Sequence, residues 1–156
     1  MKINSEKNTF SKLFDVSRET LRKLIQYELK IISFNEKSNI IGKSTIPYIW
    51  KRHFADSAKI LSFIKTIVKK NENRKPTICD VGSGAGFPGL VILILNQEKK
   101  VNFHMTLVES NKKKCSFLND LIKCFKIKAE VINDRAENLN EKFDIIIGRA
   151  VAPLPR

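Results

Sequence analysis

Asp80-Val-Gly-Ser-Gly-Ala-Gly-Phe-Pro-Gly89 is the stretch on which the reading of this chain turns. Four of the six glycines in 156 residues fall inside it. An apolar run, Thr77-Ile-Cys-Asp-Val81, precedes it, and a second, Leu90-Val-Ile-Leu-Ile-Leu95, follows. The pattern reads as strand, tight loop, helix. Glycines let the backbone turn sharply and let a ligand approach with no Cβ in the way. The first amides of the following helix have no partners inside it and can face that ligand. Pro88 suits a first helical turn, where a missing donor costs nothing.

Three ligand classes compete for such a loop. A Walker-type phosphate loop needs Lys and then Ser or Thr after its last glycine, and Gly89 is followed by Leu90-Val91, so that class is excluded. A dinucleotide fingerprint is present at Gly84, Gly86 and Gly89, with Glu109 about 20 residues on. The third class is the acidic-x-G-x-G-x-G loop of S-adenosylmethionine (SAM) enzymes, read here as Asp80, Gly82, Gly84 and Gly86. Asp80 favours it. A carboxylate at the strand end is unwelcome beside a pyrophosphate. Beside an ammonium and a sulfonium it is attractive by several kcal/mol in a partly dry site. A nicotinamide-type ligand and a purely structural glycine turn remain open at this point.

Composition bounds the rest. The length allows one domain, or one with an appendage. At 42% hydrophobic residues the chain can build a core. Its 29 Lys and Arg against 16 Asp and Glu give a net charge of +13, which suits a polyanionic partner. Cys79, Cys115 and Cys124 form no C-x-x-C pair and His53 and His104 lie far apart, so no zinc spacing is present and no metal is expected. The cysteines read as small buried apolar residues of a reducing compartment. The longest apolar run, Leu90–Leu95, is too short to span a membrane, and the N-terminus has no apolar signal region. These features lead us to expect a cytoplasmic monomer.

Working outward, residues 1–75 read as a helical extension with a linker, and residues 76–156 as a Rossmann-like α/β portion. Phe10, Leu13 and Phe14 mark a short first helix. Ser17 reads as an N-cap with Glu19 in the first turn. Leu21, Leu24, Ile25, Leu29 and Ile32 follow at helical spacing until Asn35–Asn39 breaks the pattern. Thr45 is expected to cap a third segment with Pro47 in its first turn, and Ile60, Leu61, Ile64, Ile67 and Val68 continue it. Lys69–Lys75 has no apolar residue and reads as a linker. Strands are then expected at 77–81, 102–108, 128–132 and 143–147, with helices at 88–95 and from 110 onward. Alternation with short turns means parallel strands and right-handed crossovers. Ligands in such sheets lie beyond the carboxyl ends of the strands.

Four strand ends therefore supply candidate site residues. Asp80, Gly82 and Gly84 follow the first. Glu109 follows the second, where a carboxylate can accept from ribose hydroxyls. Asn133-Asp-Arg-Ala-Glu137 follows the third, and its backbone near Ala136 and Glu137 can read a base. Arg149 follows the fourth, where a charge beside a buried strand needs a partner.

The loop's Phe-Pro-Gly extension is joined by Tyr48-Ile-Trp-Lys-Arg-His-Phe-Ala-Asp-Ser57, Val108-Glu-Ser-Asn-Lys-Lys-Lys-Cys-Ser-Phe-Leu118 and Gly148-Arg-Ala-Val-Ala-Pro-Leu154. Together these closely resemble the RsmG, or GidB, family of SAM-dependent 16S ribosomal RNA guanine-N7 methyltransferases, from about Tyr27 to Leu154. The resemblance implies a class I methyltransferase fold with an N-terminal helical extension. It implies SAM as cofactor, and 16S ribosomal RNA or the small ribosomal subunit as partner. Carried over by motif, the SAM contacts are Gly82, Phe87, Ala136, Glu137 and Arg149. Asp80, Gly84 and Glu109 come from the loop and charge arguments above. Guanine N7 bears a free lone pair and no proton, so no general base and no catalytic titrating residue is expected. Lys51, Arg52, Lys69, Lys70 and Lys112–Lys114 are candidate phosphate contacts. Family members continue through further strands, so the sheet is expected to be incomplete at its C-terminal edge, with the fourth strand exposed.

Overall fold

The computed structural model describes residues 2–70 and 74–149. Three helices come before any strand: α1 (Lys2–Phe14), α2 (Arg18–Lys37) and α3 (Ala55–Lys70). Ser17 caps α2 as expected, its hydroxyl accepting the Thr20 amide at 3.1 Å. Leu24, Tyr27 and Ile31 form the buried stripe of that helix. Asn35 ends it by accepting the amides of Ile40 and Ile41 on Oδ1 at 2.8 and 3.0 Å.

The third segment departs from expectation. Its 3-10 turn, Lys43–Tyr48, begins after Gly42, and Thr45 is not its cap. Thr45 lies inside the turn and gives both its amide and its hydroxyl to the Gly42 carbonyl, at 2.9 and 2.7 Å. Pro47 cannot donate to an α ladder, and the chain passes it in tight 3-10 geometry. A π turn, Trp50–Phe54, then runs straight into α3, which needs no cap of its own.

The second half alternates: β1 (Thr77–Val81), α4 (Gly89–Lys99), β2 (His104–Val108), α5 (Lys112–Cys124), β3 (Glu130–Ile132) and β4 (Ile145–Gly148). The strands form one parallel sheet in the order β3-β2-β1-β4. This is the doubly wound, Rossmann-like arrangement. The chain steps outward from β1 to β3, then returns to the far side of β1, so the switch point lies between β1 and β4. β2, β3 and β4 each start about two residues later than the apolar runs suggest. At β4 the cause is visible: Asp144 is used as a clamp, its Oδ2 accepting the Thr77 amide and hydroxyl at 2.8 and 3.1 Å.

Leu90–Leu95 are buried on every side. An all-round apolar helix must be covered all round. Asp80 and Leu107 of the sheet crowd α4 at Gly89, and α2 and α3 pack along α4 as well. A single apolar core therefore runs from Phe10 and Leu24 through α4 to Ile78, Leu107 and Phe117. Cys79 and Cys115 are buried as expected, but Cys124 is exposed because it closes α5 at its solvent side. Phe143–Ile147 reads both as a buried strand beside Arg149 and as the exposed edge of the sheet, and the structure agrees with the second. Among the described residues β4 pairs only with β1, and Ile146 is 69% exposed.

Candidate functional site

The loop after β1 is wound by three glycines with left-handed backbone: Gly82 (φ +66°), Gly84 (+56°) and Gly86 (+97°). Side chains rarely adopt these angles. Ser83 pins the loop at its middle. Its amide donates to the Val108 carbonyl at 3.0 Å and its hydroxyl to the Asp80 carbonyl at 2.9 Å. The Ser83 carbonyl accepts the amides of Gly86 and Phe87 at 2.7 and 3.1 Å.

The four glycines divide by what lies beside them. A Cβ on Gly82 would meet nothing within 4 Å, and one on Gly84 only the Gly82 carbonyl at 3.7 Å. These two leave open space where a ligand can approach the backbone. A Cβ on Gly86 would run into the Tyr27 hydroxyl and, at 2.8 Å, into Leu90 Cβ. One on Gly89 would collide with the Asp80 carboxylate and with Leu107. The second pair serves packing of α4 on β1 and α2, so only Gly82 and Gly84 form the open half of the motif.

Asp80 lies differently from the sequence expectation. The carboxylate is fully buried beneath the loop. Oδ2 accepts the Gly89 amide at the start of α4 at 2.9 Å, and Oδ1 has no partner. Burial pushes its pKa from 3.8 up to about 7, against the lowering effect of the Gly89 amide and Ser83, with Glu109 adding a further push upward. At neutral pH this group is partly protonated rather than a fixed counter-charge.

Glu109 fastens the loop to the next two strand ends. Oε2 accepts the Gly84 amide and Oε1 the Asn111 amide, both at 2.8 Å. Its carbonyl accepts the Cys115 thiol at 3.1 Å and the Asn133 side-chain amide at 3.0 Å. Its own amide donates to Ile132 at 3.0 Å. Each carboxylate oxygen keeps a second lone pair for an incoming hydroxyl. Beyond β3, Asp134 Oδ1 accepts the Arg135 amide and the Asn138 side chain, both at 2.7 Å, and so shapes the 3-10 turn Ala136–Asn138. Ala136 is half-buried there and Glu137 is exposed.

Phe87 is drawn inward. Its ring is buried in an aromatic cluster with Tyr27 (5.7 Å), Phe54 (5.7 Å) and His53 (4.6 Å, nearly parallel). Only its backbone is left for a ligand. The Tyr27 hydroxyl donates to the Ala85 carbonyl and ties α2 to the same loop. Arg149, just past β4 at the switch point, is half-buried, and one terminal guanidinium nitrogen has no partner among the described residues.

His53 had no role in the sequence reading, yet the π turn brings it against the loop. Burial first, and the charge of Arg149 second, hold its pKa down at about 4. The signal for it was its place inside the Tyr48–Ser57 motif.

The residues fit a SAM-like ligand in two respects. Open backbone lies at Gly82 and Gly84, and unpartnered polar atoms lie at Asp80 and Arg149. A family model described as rRNA small subunit methyltransferase G matches residues 20–156. The ribosomal RNA small subunit methyltransferase G of Bartonella henselae is 45% identical over 96 residues, covering 62% of this chain and 40% of that protein. That of Bartonella tribocorum is 39% identical over 142 residues (89% and 62%). The Cereibacter sphaeroides protein is 37% identical over 143 residues (90% and 66%). The chain thus spans between two fifths and two thirds of the length of these relatives. By the match of the family model and the sheet topology that accompanies it, this chain belongs to the rRNA small subunit methyltransferase G family.

Proposed function

We propose that the chain transfers a methyl group from SAM to N7 of a guanine in 16S ribosomal RNA, acting as a cytoplasmic monomer. The observation that carries this reading is the open half of the glycine loop, Gly82 and Gly84, at the carboxyl end of β1, with Glu109 holding the Gly84 amide and, past the end of β4, a buried Arg149 guanidinium nitrogen that has no partner among the described residues. Bound SAM would supply an electrophilic methyl group on a sulfonium. The backbone at Gly82, Gly84 and Phe87 would lie along the ligand. Glu109 would accept from its ribose hydroxyls, and the turn at Ala136 and Glu137 would flank its base. Arg149 would orient the ligand from the β4 side.

Guanine N7 needs no deprotonation, and the side chains here suit that economy. His53 is neutral, Tyr27 is buried with its pKa pushed well up by burial, and neither is poised to take a proton at pH 7. Rate enhancement would come from holding two reactants in line. The name of the family supports ribosomal RNA as substrate, and the net charge of +13 supports a polyanion. The test is methyl transfer from labelled SAM to small-subunit RNA, with the modified nucleoside identified by mass spectrometry. The expected product is 7-methylguanosine. Tight SAM binding with no label in any ribosomal RNA, or label at another atom, would overturn the proposal.

A further inference from the structure

His53 sits where the helical layer meets the glycine loop, and its hydrogen bonding assigns its tautomer. The Thr45 hydroxyl has one proton, and that proton goes to the Gly42 carbonyl at 2.7 Å. At the 3.1 Å contact between Thr45 Oγ1 and His53 Nε2 the imidazole must therefore donate. With the proton on Nε2, the lone pair is on Nδ1. Nδ1 is buried and has no partner among the described residues. The ring cannot swing freely to find one, because it is stacked on Phe87 at 4.6 Å and 17°.

A buried acceptor without a donor is costly. The matching half borders the same loop: Gly148 pairs with Val81, so Arg149 follows at the start of the glycine loop, while the His53 ring stacks on Phe87 within it. Arg149 NH1 is a buried donor without an acceptor, and the Arg149 charge is the largest electrostatic influence on His53 after burial. Asp56 and Arg52 act on the ring more weakly. Pairing the two atoms removes both penalties at once and links the helical layer to the end of β4.

We propose that His53 is a positioning residue of this site: its Nδ1 lone pair accepts a hydrogen bond from the Arg149 guanidinium and holds that side chain toward the crevice between β1 and β4. The inference rests on the reading of Arg149 as a ligand-facing residue. Phe87 and Thr45 fix the ring, the ring fixes Arg149, and the loop that cradles the ligand is thereby coupled to the strand end opposite it.

Two conservative variants separate this role from simple packing. The oxygen of Asn falls near Nδ1, and the amide of Gln falls near Nε2. SAM affinity is measured by calorimetry for the unaltered chain, H53N, H53Q, R149Q and the H53Q/R149Q double variant. We expect H53Q to lose about tenfold in affinity, the scale of one hydrogen bond to a charged group, and H53N to stay within about threefold. In the R149Q background, H53Q should cost almost nothing more. H53Q matching the unaltered chain, H53N losing as much as H53Q, or additive losses would each overturn the inference while leaving the methyltransferase reading intact. Failure of the unaltered chain to bind SAM would sink both. A second measurement does not depend on a variant of His53. The 15N shift of Nδ1 in SAM-saturated protein should move when Arg149 becomes Gln, and an unmoved shift also overturns the inference.

Discussion

Asp80 Oδ2 takes the Gly89 amide while Oδ1 has no partner, and burial holds the pKa near 7. Its ordinary value is 3.8, so between about 4 and 7 the folded chain binds more protons here than the unfolded chain. Stability from this group therefore falls as pH rises through that window. His53 runs the other way. Its folded value is about 4 against an ordinary 6.5, so stability from it rises as pH climbs from 4 to 6.5. D80N keeps an oxygen for the Gly89 amide but cannot ionise. Its melting temperature should gain on that of the unaltered chain as pH rises from 5 to 8, and a constant offset across that range would contradict the assignment. If Asp80 also faces a cationic ligand, binding should release a proton, and SAM affinity should rise through pH 7 in the unaltered chain but not in D80N. A flat profile would restrict Asp80 to holding the loop. The glycines allow a second comparison. G82A meets open space and only the left-handed backbone resists it, so it should cost about 1 kcal/mol in urea unfolding and more in SAM affinity. G86A drives a methyl into Tyr27 and Leu90 and breaks the Tyr27–Ala85 hydrogen bond, so it should cost about 3 kcal/mol or more. Equal costs would show that the two halves of the loop are not distinct.

At the scale of elements, α5 breaks a rule. Its first turn holds Lys112, Lys113 and Lys114 and no acid, although the N-terminal end of a helix carries partial positive charge. Asn111 caps it by accepting the Lys114 amide at 3.1 Å, which offsets part of the cost. Local rules are broken where function asks for it. Lys112 and Lys113 are exposed at the start of α5, a short step along the chain from Glu109. Replacing both with Gln should raise stability by about 0.5 kcal/mol or more while weakening binding to small-subunit RNA several-fold. A loss of stability, or unchanged RNA affinity, would contradict this. These elements also show what the sequence made legible. β1, the loop, α4 and the cap Ser17 were readable because each depends on neighbours a few residues away. The inward turn of Phe87, the displaced start at Gly42 and the place of His53 were not. They depend on α2, the π turn and the loop meeting in space, and no local pattern encodes that meeting. Glu109 reads from the sequence as a ribose partner, whereas its hold on the Gly84 amide depends on how β2 lies beside β1.

Across the whole molecule, exposed positive charge recurs at the ends and outer faces of the helices that the core holds against the sheet. The helical layer covers α4 and carries Lys51 and Arg52 on the exposed side of the π turn whose inner side is Trp50 and His53. Arg52 lies over the exposed Tyr48 ring at 6.0 Å, an arrangement that holds a cation and an aromatic face together at the surface. Lys69 and Lys70 end α3, and Lys112 and Lys113 begin α5. A chain with net charge +13 that meets RNA through several such residues releases several counterions on binding. Between about 50 and 200 mM salt, affinity for small-subunit RNA should fall roughly a hundredfold, taking some five phosphate contacts at the slope usual for single strands. SAM affinity over the same range should change little, because the contacts proposed for it are backbone and one buried crevice rather than a charged surface. The measurement is a pair of titrations on one preparation, fluorescence anisotropy for the RNA and calorimetry for SAM. If both fall together, salt is acting on the fold rather than on a surface. If RNA affinity stays level, the positive charge belongs to general solvation, and the substrate must be sought among molecules without a phosphate backbone.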